Sequence, residues 1–234
     1  HGFFDRHTPS DWHDQPVGVS GNMGMAIHES QSLGVEMQMG RMRGYWDHLT
    51  PELAKIFDGR GAGWSGENLY RHATRAARSL IRFEADEISY PLHVILRYRL
   101  EKRLVAGTLA VRDLPEAWNA SMQELVGIAP TDNAQGCMQD IHWHSGAVGY
   151  FPAYALGAVI AAQFTAALKR DMPDLDDRLR AGDFFCYTQW MRDHVQSKGC
   201  LLKPSDLIEQ VTGKKLSTQD FKNHLQARYF GSAA

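Results

Sequence analysis

An all-α fold is what the pattern of this chain predicts, and three observations predict it. Apolar residues recur at three- and four-residue steps along most of the length. Proline and glycine fall where helices start and stop. Alternating runs of the kind that mark strands are short and few. The chain has 234 residues with no internal repeat and no low-complexity tract, so the expectation is a single mainly helical domain over residues 1–234.

The elements follow in order. Residues 1–24 are rich in Gly, Pro, Asp, Ser and His, with turn signals at His7-Thr8-Pro9 and around Gly18, Gly21 and Gly24, and read as loop. From about Met25 to Leu49 the pattern is helical, with Ile27, Met37 and Trp46 among polar residues. Thr50-Pro51-Glu52 reads as an N-cap with proline at the first helical position. A glycine-rich loop, GRGAGWSGE, precedes the longest periodic stretch, roughly Asn68 to Ala106. Within it Ile81, Ala85, Ile88, Leu92 and Ile95 form the expected core stripe, and Pro91 is expected to kink the helix. A further helix opens at Leu114-Pro115-Glu116, where the missing proline N–H costs little. The loop APTDN leads into GCMQDIHWHSGAVGYFPAY, and a helix of small and apolar residues follows from Ala155 to Lys169. From Asp174 on the pattern fits two or three amphipathic helices, with a stop at Thr212-Gly213.

Composition narrows the function classes. A net charge of -2 gives no strong pull toward nucleic acid or an anionic membrane surface. The longest apolar stretch, near Val148 to Ala167, contains Gly, Pro, Tyr and Gln, whereas a membrane span needs about 20 nearly all-apolar residues. Three cysteines without CxxC spacing argue against a disulfide framework and for a reducing cytoplasm.

Three stretches concentrate reactive side chains. The first is HESQS, His28 to Ser32, which places a histidine and a carboxylate in one helical turn. The second is IRFEADEISYPLHVILRYRLEKRL, in which Asp86, Tyr90, His93 and Arg97 follow steps of four, three and four and so share one helical face. Such a face is either a solvated polar surface or the polar wall of a cleft. The third is GCMQDIHWHSGAVGYFPAYALG, which gathers Gln139, Asp140, His142, Trp143, His144, Tyr150 and Tyr154 among glycines that let backbone approach a ligand. Ser145 lies beside two histidines, but no GxSxG elbow surrounds it.

Taken together and in this order, the three stretches resemble the carboxypeptidase Taq family of zinc metallocarboxypeptidases. HESQS stands at His28–Ser32, IRxxAD…YxLHxxLR at Ile81–Arg97, and GxxQDxHW followed by GYFPxY at Gly136–Tyr154. The similarity runs from His1 to the C-terminus, including VTGKKLSTQDFKNHLQARY. The resemblance implies a helical metallopeptidase with a central groove, commonly a homodimer. Its expected cofactor is zinc, with cobalt as a substitute, and its expected substrates are peptides with a free C-terminus. That family's zinc site takes an HExxH helix and the Glu of HES. Glu29 matches that Glu, and His1 matches the second His of HExxH, a motif that occurs nowhere in these 234 residues. The first His ligand and the general-base Glu are therefore expected upstream of His1, and the chain is expected to be an incomplete, inactive C-terminal portion. The alternative is a non-catalytic truncated paralogue or dimerisation fragment. By the same resemblance His93, His142 or Tyr154 stabilises the oxyanion, and Arg97 binds the substrate's terminal carboxylate. His144 stands where the family pattern has a small polar residue.

Overall fold

The computed structural model describes residues 2, 6, 7, 10, 24–199 and 201–231, and among them no strand occurs. The α-helices in chain order are α1 (Met25–Leu33), α2 (Arg43–Ile56), α3 (Gly66–Ala73), α4 (Tyr90–Val105), α5 (Leu114–Leu125), α6 (Pro152–Asp171), α7 (Leu175–Arg180), α8 (Phe185–His194), α9 (Pro204–Thr212) and α10 (Gln219–Leu225). Two compact units are formed, His1–Arg75 with Leu156–Ala234, and Ala76–Ala155. The boundary falls inside α6.

In the first unit, a core of Ile27, Ile160, Phe164, Leu168, Leu179, Tyr187, Trp190, Leu207 and neighbours joins α1, α6, α7, α8 and α9. Helix α6 is apolar on nearly every face because it runs through this core. Its one buried amide, Gln163, ties down the chain after α9: Nε2 donates to Thr212 Oγ1 at 3.0 Å and Lys215 O at 3.1 Å, and Oε1 accepts from Ser217 N at 3.1 Å. Glycine sets the closeness of α2 and α7, since a Cβ on Gly44 would stand 2.0 Å from the Asp176 carbonyl oxygen. The Gly44 N–H also donates to Asp176 Oδ1 at 2.9 Å.

The second unit packs α4 on α5 through Leu96, Leu100, Leu114, Trp118 and Met122. After α5, residues 126–151 are a succession of turns and bends.

Several sequence expectations are corrected. The stretch from Met25 to Leu49 is not one helix, because a π-helical turn at Gly34–Gln38 and a 3₁₀ turn at Met39–Arg41 interrupt it. Thr50 is no N-cap: α2 runs through Pro51, and Thr50 Oγ1 donates back to Trp46 O at 2.6 Å. The periodic stretch from Asn68 to Ala106 holds two helices separated by irregular chain. Helix α4 starts at Tyr90 because Asp86 holds its entry. Oδ1 accepts from the N–H groups of Ile88 (2.8 Å) and Ser89 (3.0 Å), and Oδ2 accepts from Ala77 N (2.9 Å). Pro91 consequently sits in the first turn and makes no kink. The tail carries four helices, separated by Gly182, Gly199 and Gly213, each with positive φ. The stop at Gly213 and the start at Leu114 agree with expectation.

Replacing Gly44 with Ala is expected to lower stability by about 1–3 kcal/mol, the usual cost of overpacking against backbone that cannot move aside. Urea denaturation of the variant beside the wild type measures it.

Candidate active site

The buried side of α4 is the polar one. Tyr90, His93, Arg97 and Glu101 are buried together with Val94, Leu96 and Leu100, while Ile95 of the expected core stripe is exposed. Two arginines converge on one carboxylate beneath this face. Arg97 Nε donates to Asp140 Oδ2 at 2.6 Å, and Arg82 Nη2 donates to Asp140 Oδ1 at 2.9 Å. Arg97 completes its set with His93 O at 2.9 Å and Gln139 Oε1 at 2.7 Å, and its guanidinium lies 4.6 Å from the Trp118 ring centre. Gln139 also accepts from the Arg82 N–H at 2.9 Å and donates to Leu80 O at 3.1 Å.

Burial by itself raises the pKa of Asp140, but the charges and hydrogen bonds of Arg97 and Arg82 outweigh it and hold the carboxylate below its ordinary range. Burial brings Arg97 down to about 10 against the pull of Asp140, so it stays charged at neutral pH. His93 is fully buried next to this pair. Burial first, then the charge on Arg97, lower its pKa to about 4, and the Ser79 backbone opposes only part of that shift, without forming a full hydrogen bond. The ring is therefore neutral at pH 7.

A second group faces the same carboxylate. His142 Nε2 shares a hydrogen bond with the Tyr154 hydroxyl at 2.9 Å, and His142 Nδ1 lies 3.9 Å from Asp140 Oδ1. The Arg82 guanidinium lies 4.5 Å from the Tyr154 ring centre. Glu101 closes the turn chain from below, accepting from Trp143 Nε1 at 2.7 Å and Gly149 N at 2.8 Å.

In the first unit, Glu29 is buried on α1, where four successive residues, Ile27 to Ser30, face the interior. Ser32 Oγ donates to Glu29 Oε2 at 3.3 Å. Helix α6 presses on this turn at Gly157, where a Cβ would stand 2.6 Å from Glu29 Cβ and 3.1 Å from its carbonyl carbon. The π-helical turn that follows is a form common at functional sites.

The structure thus gathers His93, Arg97, His142 and Tyr154 in one unit. Of these, Arg97 is fully enclosed and each of its guanidinium nitrogens is engaged. His1 lies outside the described residues, and so does its expected approach to Glu29. No group of three metal-binding side chains occurs among the described residues. Arg82 and Glu101 had no role in the sequence reading. The contacts of Arg82 reach across 58 residues and those of Glu101 across 42 and 48, beyond any local spacing, and the one local signal for Glu101 is its place four residues after Arg97 on the same helical face.

A family model described as carboxypeptidase Taq (M32) metallopeptidase matches residues 1–229. Carboxypeptidase 1 of Bacillus subtilis is 38% identical over 216 residues, covering 91% of this chain and 42% of that protein. Thermostable carboxypeptidase 1 of Thermus thermophilus is 36% identical over 229 residues, covering 98% and 44%. The crystal structure of an M32 carboxypeptidase from Deinococcus radiodurans R1 superposes with a TM-score of 0.88 at 35% identity, covering 98% of this chain and 46% of that one. The chain spans under half the length of the relatives it matches.

Asp140→Asn leaves two buried guanidinium groups short of their counter-charge, and a loss of about 3–5 kcal/mol is expected in urea denaturation at pH 7. The depressed pKa makes the Asp140 contribution fully present above the unfolded value of about 4 and lost as pH falls through the lower folded value. His93 acts earlier. As pH falls from about 6.5 to about 4 the unfolded chain takes a proton that the folded ring refuses, so stability declines across that window. Proton NMR of the histidine ring hydrogens checks this: the His93 resonance should hold its neutral position down to about pH 5, a unit above its pKa of about 4.

Proposed function

Because the chain belongs to the carboxypeptidase Taq (M32) metallopeptidase family, we propose that it serves a zinc-dependent metallocarboxypeptidase that releases C-terminal amino acids from peptides. The observation that carries this reading is Glu29, a buried carboxylate at the family's HES position on a helix turn that Gly157 holds close to α6. A carboxylate oxygen is an ordinary zinc ligand, and the donor chemistry fits. Glu29, with His1 as its expected companion, would hold the metal, zinc or in substitution cobalt. Bound zinc supplies Lewis-acid polarisation of the scissile carbonyl and an activated water.

The chain's own residues divide the remaining work. Tyr154 is assigned the hydrogen bond to the developing oxyanion. This assignment takes the Nε2–H tautomer of His142, which donates to the tyrosine oxygen and leaves the tyrosine O–H for the substrate. Enclosure of His93 supports a packing role for that ring. Arg82 is assigned the substrate's terminal carboxylate in place of Arg97, since Asp140 engages only its Nε and Nη2 and leaves Nη1. Asp140 and Gln139 position both arginines. The reading includes a homodimer in the cytoplasm. Cys137 and Cys186 are free, as a reducing compartment favours, and no helix among the described residues is long and apolar enough to cross a membrane.

The test is residue release by the full-length product of the gene, with added zinc or cobalt and with a chelator. Peptides with a free C-terminus should be trimmed and their amidated counterparts spared. Tyr154→Phe should lower kcat by about 10²-fold, the order of one oxyanion donor. Arg82→Gln should weaken use of free-carboxylate peptides more than Arg97→Lys does. Chelator-insensitive turnover, or equal trimming of amidated peptides, overturns the reading.

A further inference from the structure

We propose that the first unit carries a binding pocket for a small phosphate-bearing molecule, centred on Lys169 and distinct from the position of Glu29. The pocket is a cavity of about 560 Å³ built entirely from first-unit residues, and Glu29 is not in its lining. Four cations stand in its wall, Arg41, Arg43, Lys169 and Arg228, against two carboxylates, Asp176 and Asp220.

Both carboxylates are already engaged by other groups. Asp176 Oδ1 accepts from Gly44 N at 2.9 Å and Oδ2 pairs with Arg180 at 2.8 Å, while Asp220 pairs with Lys214 at 2.8 Å. Arg43 is likewise held by Asp47 at 2.8 Å and by Glu67. Among the described residues Arg41 has only a loose ion pair at 3.7 Å with Glu36. Lys169 makes no hydrogen bond or ion pair among the described residues. It reaches solvent, yet packing around it lowers its pKa, the nearby charge of Arg228 lowers it further, and Asp176 opposes only part of that shift; Arg228 Nη1 donates to Met37 O at 2.7 Å. Two like charges held together in a concave, walled space repel one another, and a bound anion reverses the sign of that interaction.

The class of ligand follows from the number and spread of the cations. A single carboxylate satisfies one guanidinium, whereas a phosphate or diphosphate has enough oxygens to meet several cations at once. The neighbouring Tyr70, His224 and Asn223 give the rest of a small molecule polar and aromatic surface to lie on.

The experiment is calorimetric titration of the 234-residue chain with inorganic pyrophosphate, inorganic phosphate and acetate at constant ionic strength of about 0.15 M, where non-specific surface attraction is screened. Saturable binding is expected, in the order pyrophosphate, phosphate, acetate. Lys169→Gln should weaken pyrophosphate roughly tenfold, about the worth of one charge-assisted hydrogen bond, and Lys169→Arg should restore most of it. Lys55→Gln, a change to an exposed lysine outside the cavity, should leave binding unchanged. Far-UV circular dichroism checks that each variant keeps its helix content, as substitutions at solvent-reaching lysines should. No saturation at millimolar pyrophosphate, acetate binding as tightly, or equal losses from the Lys169 and Lys55 variants would overturn the proposal. None of these readouts depends on zinc or peptidase activity, so the pocket and the carboxypeptidase reading stand or fall separately.

Discussion

Asp140 sits between two arginines, Arg97 fully enclosed and Arg82, like Asp140 itself, only 11% exposed, so the three charges compensate one another more than water does. The rest of the second unit is organised around that constraint. Residues 126–151 have no regular secondary structure of their own, so their course is set by side chains that must meet partners. Gln139 and Asp140 are drawn to Arg82 and Arg97 on one side, and Trp143 and Gly149 to Glu101 on the other. The spacing of Gln, Asp, His and Trp in GCMQDIHW is what allows one short turn to satisfy all of them. His142 and Tyr154 inherit their positions from it, because the histidine follows Asp140 by two residues and the tyrosine is held by histidine and Arg82 together. The turn chain is thus fixed against two helices, α4 carrying Arg97 and Glu101 and the first turn of α6 carrying Tyr154.

The first unit solves a different problem with different means. There a carboxylate is placed by close approach of helices. Gly157 brings α6 onto the turn that carries Glu29, and Gly44 brings α2 onto α7. Small residues at such crossings convert sequence into distance: any side chain beyond a hydrogen atom pushes the helices apart. Gln163 shows the cost and use of a polar group in such a core. It is tolerated because turn backbone after α9 occupies both ends of its amide, and it fixes that turn in return.

Burial also sorts the titratable groups by task. His93 is held neutral, Asp140 ionised and Arg97 charged, all by one shared environment. Tyr154 and His142, beside them, keep some contact with solvent. The same logic separates Arg82 from Arg97, two arginines on one aspartate of which only Arg97 has every nitrogen engaged.

The helical class, the apolar α6, the starts at prolines and the stop at Gly213 were all legible in the chain itself, because they depend on local spacing and on the backbone preferences of Pro and Gly. The grouping of functional residues into HES, IRxxAD and GxxQDxHW stretches was legible too, through the resemblance they carry together. What the chain could not disclose was which face of α4 turns inward. By periodicity Ile95 belonged to the core stripe, and the face with Arg97 was either a solvated surface or the polar wall of a cleft. Tertiary structure decided it, exposing Ile95 and burying Arg97, since Asp140 and Gln139, more than forty residues away, supply the counter-charge and acceptors that let an arginine lie inside. Likewise the start of α4 moved to Tyr90 because a side chain, Asp86, takes the N–H groups that a longer helix would have used. Local pattern determines which elements exist. Which of their polar groups are buried depends on partners distant in sequence, and only the folded chain brings those together.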